Sequence, residues 1–257
     1  MKIPFDTLIT DREPLILIER SKIEVSGSHV VSRDKEGSFN VPISSIHCLL
    51  LGNGISITAE AASLCAKHNC YIAFVKGGLN AHSIWHAGRY PDPKPLVKQV
   101  RNHYDPVKRL RIAKNLMSLR VNYIGNPFNL NLSIEEIENS YSVEQLLGKE
   151  GSFARKNYAQ LAAKYGRTFK REQDSKNGLN SSITVANNAL YNFIATILIS
   201  KGLSPSIGFL HGQSRRGGLV FDIADVFKHP LYFEEVFSGE YDGNTAKLMR
   251  FISNKLS

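Results

Sequence analysis

The sequence predicts an α+β protein in which a small N-terminal β-rich, β-sandwich-like domain precedes an all-α C-terminal domain. Three observations predict this fold class. Short β-branched runs alternate with turn signals over the first 85 residues, a proline-rich segment follows, and helical periodicity dominates the rest of the chain. The expected divisions are a β-rich domain at 1–87, a linker at 88–95 and a helical domain at 96–257.

The strands of the first domain are predicted from runs rich in β-branched residues that glycines and polar turns separate. These runs are 15–18, 22–25, 29–32, 46–51, 71–75 and a last short one at 83–86. One helix interrupts them, because Thr58 can cap its start and Glu60 suits its positive end.

The linker contains Pro91, Pro93 and Pro95, whose alternation excludes regular helix or central strand there. Beyond it, a long basic helical pattern at 96–122 is divided at Pro106. Further helices are predicted at 133–140, from Ser142 to just before Gly166, at 182–201, from 221 and from 244 to the end.

Charge is distributed unevenly between the two parts. Residues 1–90 carry nine Lys and Arg against eight Asp and Glu, a difference of +1, whereas residues 91–257 carry 23 against 15, a difference of +8. A polyanion such as nucleic acid is the natural partner of such a surface, and solubility alone is the alternative interpretation.

Cysteine usage and apolar runs indicate an ordinary cytoplasmic protein. The three cysteines predict small buried side chains, and a zinc pair at Cys65 and Cys70 is the weaker alternative. The apolar runs are shorter than the roughly 20 residues that cross a bilayer, and residues 1–13 lack the pattern of a signal peptide.

Glu150 is the first candidate for chemistry. Counting by threes and fours aligns it with Leu147, Ala154 and Leu161, so a carboxylate lies on the face of its helix that should be buried. A buried charge needs a metal, a proton or an ion-pair partner, and a structural salt bridge is as good an explanation as a metal.

His211, Asp222 and Asp225 form a second candidate group. The two aspartates are three residues apart, which places them on one side of a single helix, where they repel unless a cation lies near. A histidine between an apolar and a glycine-rich segment is by itself more often a core or loop residue. The loop 212–218, with Arg215 and Arg216, is either a DNA-facing flap or a connector.

Carboxylates and one imidazole from separate helices of a basic domain suit a divalent ion that also holds phosphate oxygens. This oxygen-rich set favours Mg²⁺ or Mn²⁺ over structural zinc, and such an ion can activate a phosphodiester for attack. Arg155 and Lys228 could neutralise the remaining phosphate charge, or they could be surface residues.

Three segments resemble the CRISPR-associated spacer integrases, the family of the first Cas protein. They are LGKEGSFARKNY at 147–158, NNALY at 187–191, and GLSPSIGFLH at 202–211 followed by FDIAD at 221–225. In this order and behind a β-rich domain, they are together a specific signature. The sequence of residues 221–228 is similar to that of the family branch with a cascade effector, the type I-E-like branch.

The resemblance implies a metal-dependent DNA strand transferase and endonuclease with a catalytic C-terminal domain. The family joins the 3′ hydroxyl of prespacer DNA to a phosphodiester at the leader-repeat junction of a CRISPR array, in antiviral defence. It also implies a homodimer, formed by residues 1–87, and a second small CRISPR-associated protein as partner.

The resemblance assigns roles to individual residues of the helical domain. Glu150, His211 and Asp225 would be metal ligands, and Asp222 would be an accessory acid near the metal. Positions near the phosphates of double-stranded DNA would be Arg155, Tyr191 and Lys228. Arg215 and Arg216 are further DNA-binding candidates because of the loop that carries them rather than because of the resemblance.

Two other functions fit parts of the pattern. A non-catalytic DNA-binding scaffold would use the same carboxylates in structural ion pairs. A metal-dependent hydrolase of small phosphate esters would explain the site but not the basic charge of the helical domain.

Overall fold

The computed structural model describes residues 13–85, 91–124, 132–172, 178–212 and 216–256. Two compact units divide the chain. The first comprises Met1–Tyr90, Asn188–Thr196 and Ala246–Ser257, and the second comprises Pro91–Asn187 and Ile197–Thr245. The predicted fold class, a β-rich N-terminal part followed by a mostly helical one, is confirmed.

The first unit contains two four-stranded mixed sheets. One sheet has the order β1-β5-β7-β8, in which only the β7–β8 pair is antiparallel. The other has the order β4-β3-β2-β6. The strands are β1 Glu13–Ile18, β2 Lys22–Ser26, β3 His29–Arg33, β4 Ser38–Val41, β5 Ile46–Leu51, β6 Ser56–Ile57, β7 Tyr71–Lys76 and β8 Asn80–Trp85.

Strand β5 lies at the centre of the first unit's core, and all six of its residues are buried. A parallel strand covered on both faces has this continuous apolar pattern. Residues of both sheets and of helix α1, Ala59–Lys67, share one apolar cluster that includes Ile23, Leu49 and Cys65. Thr58 caps α1 as predicted, and its hydroxyl accepts from Ala61 N at 3.2 Å.

Two segments from late in the chain belong to the first unit, although the sequence assigns them to the helical domain. Asn188 and Asn192 donate to the carbonyls of Gly78 and Leu79 at 2.7 and 3.0 Å. Ser253 donates to the Leu15 carbonyl at 3.0 Å. A contiguous domain at 96–257 therefore does not describe this division of the chain.

The second unit is helical. Asp105 separates α2 from α3, as Pro106 predicted, and a reciprocal capping box between Ser133 and Glu136 begins α4. The remaining elements of the chain are α2 Pro93–Tyr104, α3 Pro106–Ile124, α4 Ile134–Glu138, α5 Val143–Lys164, α6 Gly178–Ser200, α7 Gly218–Lys228, α8 Glu234–Ser238 and α9 Thr245–Leu256, with a 3-10 turn at Gly77–Leu79 and a π-helical segment at His229–Phe233.

The proline-rich segment differs from the predicted linker. Helix α2 begins at Pro93, because Asp92 caps it and a proline in the first turn has no hydrogen bond to lose. Strands β4 and β6, which the sequence patterns did not predict, are short and carry few β-branched residues. Residues 1–12, His86 at the end of the last predicted strand, and 88–90 of the predicted linker lie outside the described residues.

Helix α6 is the one helix in the described part of the chain that is long and apolar enough to cross a membrane. Of its most apolar 18-residue window, 67% is buried inside the protein. Its apolar side chains therefore form core contacts, as in the central helix of a folded domain.

Candidate metal centre

The second unit brings together the four acidic and imidazole residues that the sequence singles out. Helix α5 supplies Glu150, helix α7 supplies Asp222 and Asp225, and the segment before α7 supplies His211. Glu150 is on the buried face of α5, as predicted, and only 9% of it is exposed. Its buried neighbours along this face are Leu146, Phe153, Asn157 and Leu161.

Arg120 of α3 joins the carboxylates of two helices. Its Nη1 lies 2.5 Å from Glu150 Oε1 and 3.7 Å from Asp225 Oδ2. Burial by itself would lower the pKa of this guanidinium, but Asp225 and Glu150 outweigh burial and raise it. The structural ion pair that sequence reasoning left open for Glu150 is therefore present.

The Asp225 carboxylate has three charged or titratable side chains around it. Its Oδ2 lies 3.7 Å from Arg120 Nη1 and 3.9 Å from His211 Nε2, and its Oδ1 accepts from Lys228 Nζ. Burial alone would raise the pKa of the Asp225 carboxyl, but Lys228 and Arg120 outweigh burial and lower it to about 2. The carboxylate is thus held ionised by two cations.

Asp222, one turn before Asp225, has different partners. Its carboxylate accepts from the backbone N–H groups of Phe209, Leu210 and His211 at 2.5, 3.0 and 2.8 Å. It also accepts from His211 Nδ1 at 2.9 Å, so that Nδ1 carries the hydrogen. Asp222 therefore holds the segment before α7 and the His211 imidazole in place.

A glycine makes this approach possible. A Cβ at Gly208 would lie 2.5 Å from the backbone carbon of Gly218 and 2.8 Å from Asp222 Oδ2. Since real Cβ atoms do not approach other atoms so closely, only glycine lets the segment before His211 pack against the start of α7.

The other predicted site residues lie in varied surroundings. Arg155 and Arg216 are exposed. Tyr191 is half-buried in the Asn188–Thr196 part of α6, which belongs to the first unit. Lys228 is 8% exposed and pairs with Asp225, so the surface alternative for this residue is wrong. Arg215 lies outside the described residues.

Sequence reasoning counted Arg120 only as one of many basic residues in a helix. A sharper signal was available, because Arg120 follows the buried Ala113 and Met117 at spacings of seven and three residues. A cation in line with apolar side chains indicates a buried ion pair.

The donors present fit a Mg²⁺ or Mn²⁺ ion in their chemistry. Glu150 and Asp225 both lie against Arg120, and the His211 imidazole lies 3.9 Å from Asp225. His211 also has, on its other ring nitrogen, the carboxylate that commonly orients a metal-binding histidine. Among the described residues, however, no three His, Cys, Asp or Glu side chains are gathered closely enough to hold an ion. The Arg120 guanidinium bridges Glu150 and Asp225 in this arrangement.

Several solved structures share the fold. The Cas1 protein of Thermotoga maritima has a TM-score of 0.79 at 16% identity, covering 94% of this chain and 90% of that chain. A TtCas1–DNA complex has a TM-score of 0.58 at 24% identity, covering 94% and 88%. A casposase bound to integration product (TM-score 0.70, 16% identity, 95% and 74%) and a Cas6-RT-Cas1–Cas2 complex (0.73, 14%, 98% and 32%) are also similar in fold.

Sequence comparison with characterised proteins is more specific. The CRISPR-associated endonuclease Cas1 3 of Methanospirillum hungatei is 31% identical over 228 residues, which is 86% of this chain and 72% of that protein. The CRISPR-associated endonuclease Cas1 of Escherichia coli K12 is 29% identical over 237 residues, or 89% and 73%. Because the model of the family "CRISPR associated protein Cas1" matches residues 15–239, which is most of its length, this chain belongs to the Cas1 family.

Proposed function

We propose that this chain is a Mg²⁺- or Mn²⁺-dependent DNA integrase and endonuclease that inserts prespacer DNA into a CRISPR array. A 3′ hydroxyl would attack a phosphodiester, so that one P–O bond forms as another breaks and no external energy source is needed. The supporting observation is that two groups from separate segments of the chain, Arg120 of α3 and His211 of the segment before α7, both lie within 4 Å of Asp225 Oδ2.

Glu150, His211 and Asp225 would hold the ion. When bound, a divalent ion supplies charge to polarise the scissile phosphate and to stabilise the departing oxygen. Asp222 keeps the His211 ring turned with Nε2 toward Asp225, and Lys228 keeps Asp225 ionised. The chain's own contribution is to fix these groups before DNA arrives, which lowers the cost of ordering them in the reaction.

Double-stranded DNA is the proposed substrate, and the +8 charge difference of residues 91–257 supports it. The exposed Arg155 and Arg216 would contact phosphates, and Tyr191 would lie near the DNA. The similarity of this fold to a TtCas1–DNA complex and to a casposase bound to integration product agrees with this assignment.

We infer a homodimer formed through residues 1–87 and a complex with a second small CRISPR-associated protein. A Cas1–Cas2 assembly among the structures of similar fold supports such a partner. The protein would act in the cytoplasm, where the array is, and the type I-E-like branch remains our expectation for its subtype.

A strand-transfer assay tests the proposal. The substrates are a prespacer with 3′ hydroxyls and a plasmid that carries the protein's own leader and repeat, with and without the partner protein. Product should form with Mn²⁺ or Mg²⁺ and disappear with EDTA. Glu150→Ala and His211→Ala should lose activity by about 100-fold or more, because each removes a group at the reacting phosphate.

Glu135→Ala is the matched control, since Glu135 is an exposed carboxylate in the first turn of α4. This variant should retain the wild-type rate. Wild-type rates for folded Glu150→Ala or His211→Ala would refute the proposed metal centre.

A non-catalytic DNA-binding scaffold is the second candidate function. The observation in its favour is that Arg120 and Lys228 already pair the carboxylates. DNA binding that weakens with salt, without any EDTA-sensitive joining or cleavage, would favour the scaffold.

A further inference from the structure

Arg120 is hydrogen-bonded to one carboxylate oxygen of Glu150, the residue proposed to bind a metal ion. Its Nη1 lies 2.5 Å from Glu150 Oε1, which is hydrogen-bond distance, and only 6% of Arg120 is exposed. A divalent ion and a guanidinium cannot share one carboxylate oxygen at such distances, because like charges repel strongly in a buried site. Metal binding at Oε1 of Glu150 would therefore require Arg120 to move.

Asn157 is a candidate second partner for Arg120. Its Nε is buried without a hydrogen-bond partner among the described residues, and so is Oδ1 of Asn157, which is 1% exposed. A buried donor and a buried acceptor without partners each cost stability. Both costs would be removed if the two groups met.

The two partners lie along one face of α5. Glu150, Phe153 and Asn157 are all on its buried stripe, spaced by three and four residues. The Arg120 guanidinium stands over the Phe153 ring, with Cζ 5.4 Å from the ring centroid. Phe153 therefore provides a surface along which the guanidinium can shift from Glu150 toward Asn157 while it keeps a favourable contact with the ring.

We propose that Arg120 is an internal counter-ion that competes with the divalent ion for Glu150, and that Asn157 receives Arg120 when the ion binds. This inference rests on the proposed function, because it assumes that Glu150 is a metal ligand. Without the ion, Arg120 keeps two buried carboxylates of different helices paired. With the ion, the guanidinium moves to a neutral acceptor two turns farther along α5.

Mn²⁺ binding to the DNA-free protein tests this competition. The affinity is measured from the electron paramagnetic resonance signal of unbound Mn²⁺ during titration. Arg120→Met removes the competing charge and should tighten Mn²⁺ binding by about tenfold or more. Arg111→Met is the matched control, since Arg111 is an exposed cation on the same helix, and it should bind Mn²⁺ like the wild type.

Two further variants separate competition from a purely structural role. Arg120→Lys keeps the charge, so its Mn²⁺ affinity should stay within about threefold of wild type. Asn157→Leu removes the alternative acceptor and should weaken Mn²⁺ binding by about tenfold. The melting temperature of Asn157→Leu without metal should not fall, because the substitution removes a buried oxygen that has no hydrogen-bond partner among the described residues.

Arg120→Met will be less stable without metal, since two buried carboxylates lose a partner. Mn²⁺ should then raise its melting temperature more than it raises that of the wild type. Unchanged or weaker Mn²⁺ binding by folded Arg120→Met would overturn the competition, and unchanged binding by Asn157→Leu would overturn the role of Asn157.

Glu150→Gln distinguishes failure of this inference from failure of the proposed function. If the wild type binds no Mn²⁺, or binds it equally well after Glu150→Gln, the metal centre itself is refuted. If wild-type binding depends on Glu150 but Arg120→Met does not tighten it, only the inference about Arg120 fails.

Discussion

The first unit keeps neutral groups in its interior, whereas the second unit buries charged ones. Among the described residues, the buried polar side chains of the first unit are uncharged types and a histidine, and His47 Nε2 lies 2.9 Å from Thr196 Oγ1. The second unit buries Arg120, Glu150, Asp222 and Lys228.

Burial of apolar and of charged side chains has different free-energy consequences in the two units. Burying apolar side chains stabilises a fold directly, but burying charges costs several kcal/mol that pairing only offsets. Replacing a buried ion pair with well-packed apolar residues of similar volume often leaves the free energy of unfolding unchanged or increases it. The proposed metal centre would account for the charges that the second unit buries, and three experiments can break or sharpen this contrast.

The largest effect is expected from a matched pair of core truncations. Leu49 in β5 and Leu146 in α5 are both fully buried, so Leu49→Ala and Leu146→Ala should each lose about 2–5 kcal/mol of unfolding free energy. Only Leu146→Ala should also weaken Mn²⁺ binding, because Leu146 packs one turn from Glu150 on the same face. Denaturant unfolding and Mn²⁺ titration measure the two effects. Equal loss of Mn²⁺ affinity in folded Leu49→Ala would remove the contrast.

Asp222→Asn should have a smaller effect, and it should change strand transfer only by changing the position of the His211 ring. Loss of the carboxylate at Nδ1 should reduce Mn²⁺ affinity and strand transfer by about 10–100-fold, as is usual for groups that orient a metal-binding histidine. Nitrogen NMR of the His211 ring should report a changed proton position. An unchanged ring spectrum with lost activity would contradict a positioning role.

Low pH should destabilise the second unit because it protonates the Asp225 carboxylate. Its carboxyl pKa is lowered to about 2 in the fold, so the stabilisation is complete above about pH 4 and is lost as the pH falls toward 2. The expected loss is on the order of 2 kcal/mol and should be absent from Asp225→Asn. Hydrogen exchange between pH 5 and 2.5 should show it in peptides of α3, α5 and α7. The same acid response in Asp225→Asn would assign it to other groups.

Much of the fold could be predicted because local signals agree with the tertiary structure. Thr58 and Ser142 begin helices as caps, Pro106 separates two helices, and β5 is a continuous apolar run. The placement of Asn188–Thr196 and Ala246–Ser257 in the first unit could not be predicted, because periodicity reports which face is apolar but not which core it joins.

The grouping of the acidic and imidazole residues could be predicted in part, since a carboxylate on a buried helix face is a local inconsistency that marks a candidate site. The cations were harder to predict. Arg120 resembles the surface basic residues around it in sequence, and only the packing of α3 against α7 and α5 gives it partners. Lys228 pairs within its own helix, with Asp225 three residues earlier, but its burial is not visible in the sequence. Nor could spacing reveal that Asp222 accepts from three backbone amides.

The hydrogen bonds from Asn188, Asn192 and Ser253 to the β-rich unit have a consequence for biosynthesis. When a ribosome has produced only the strands, the carbonyls of Gly78 and Leu79 still lack these donors. The unit completes its core only once residues 246–256 have emerged from the ribosome. A fragment released after Tyr90 would expose apolar surface and would aggregate.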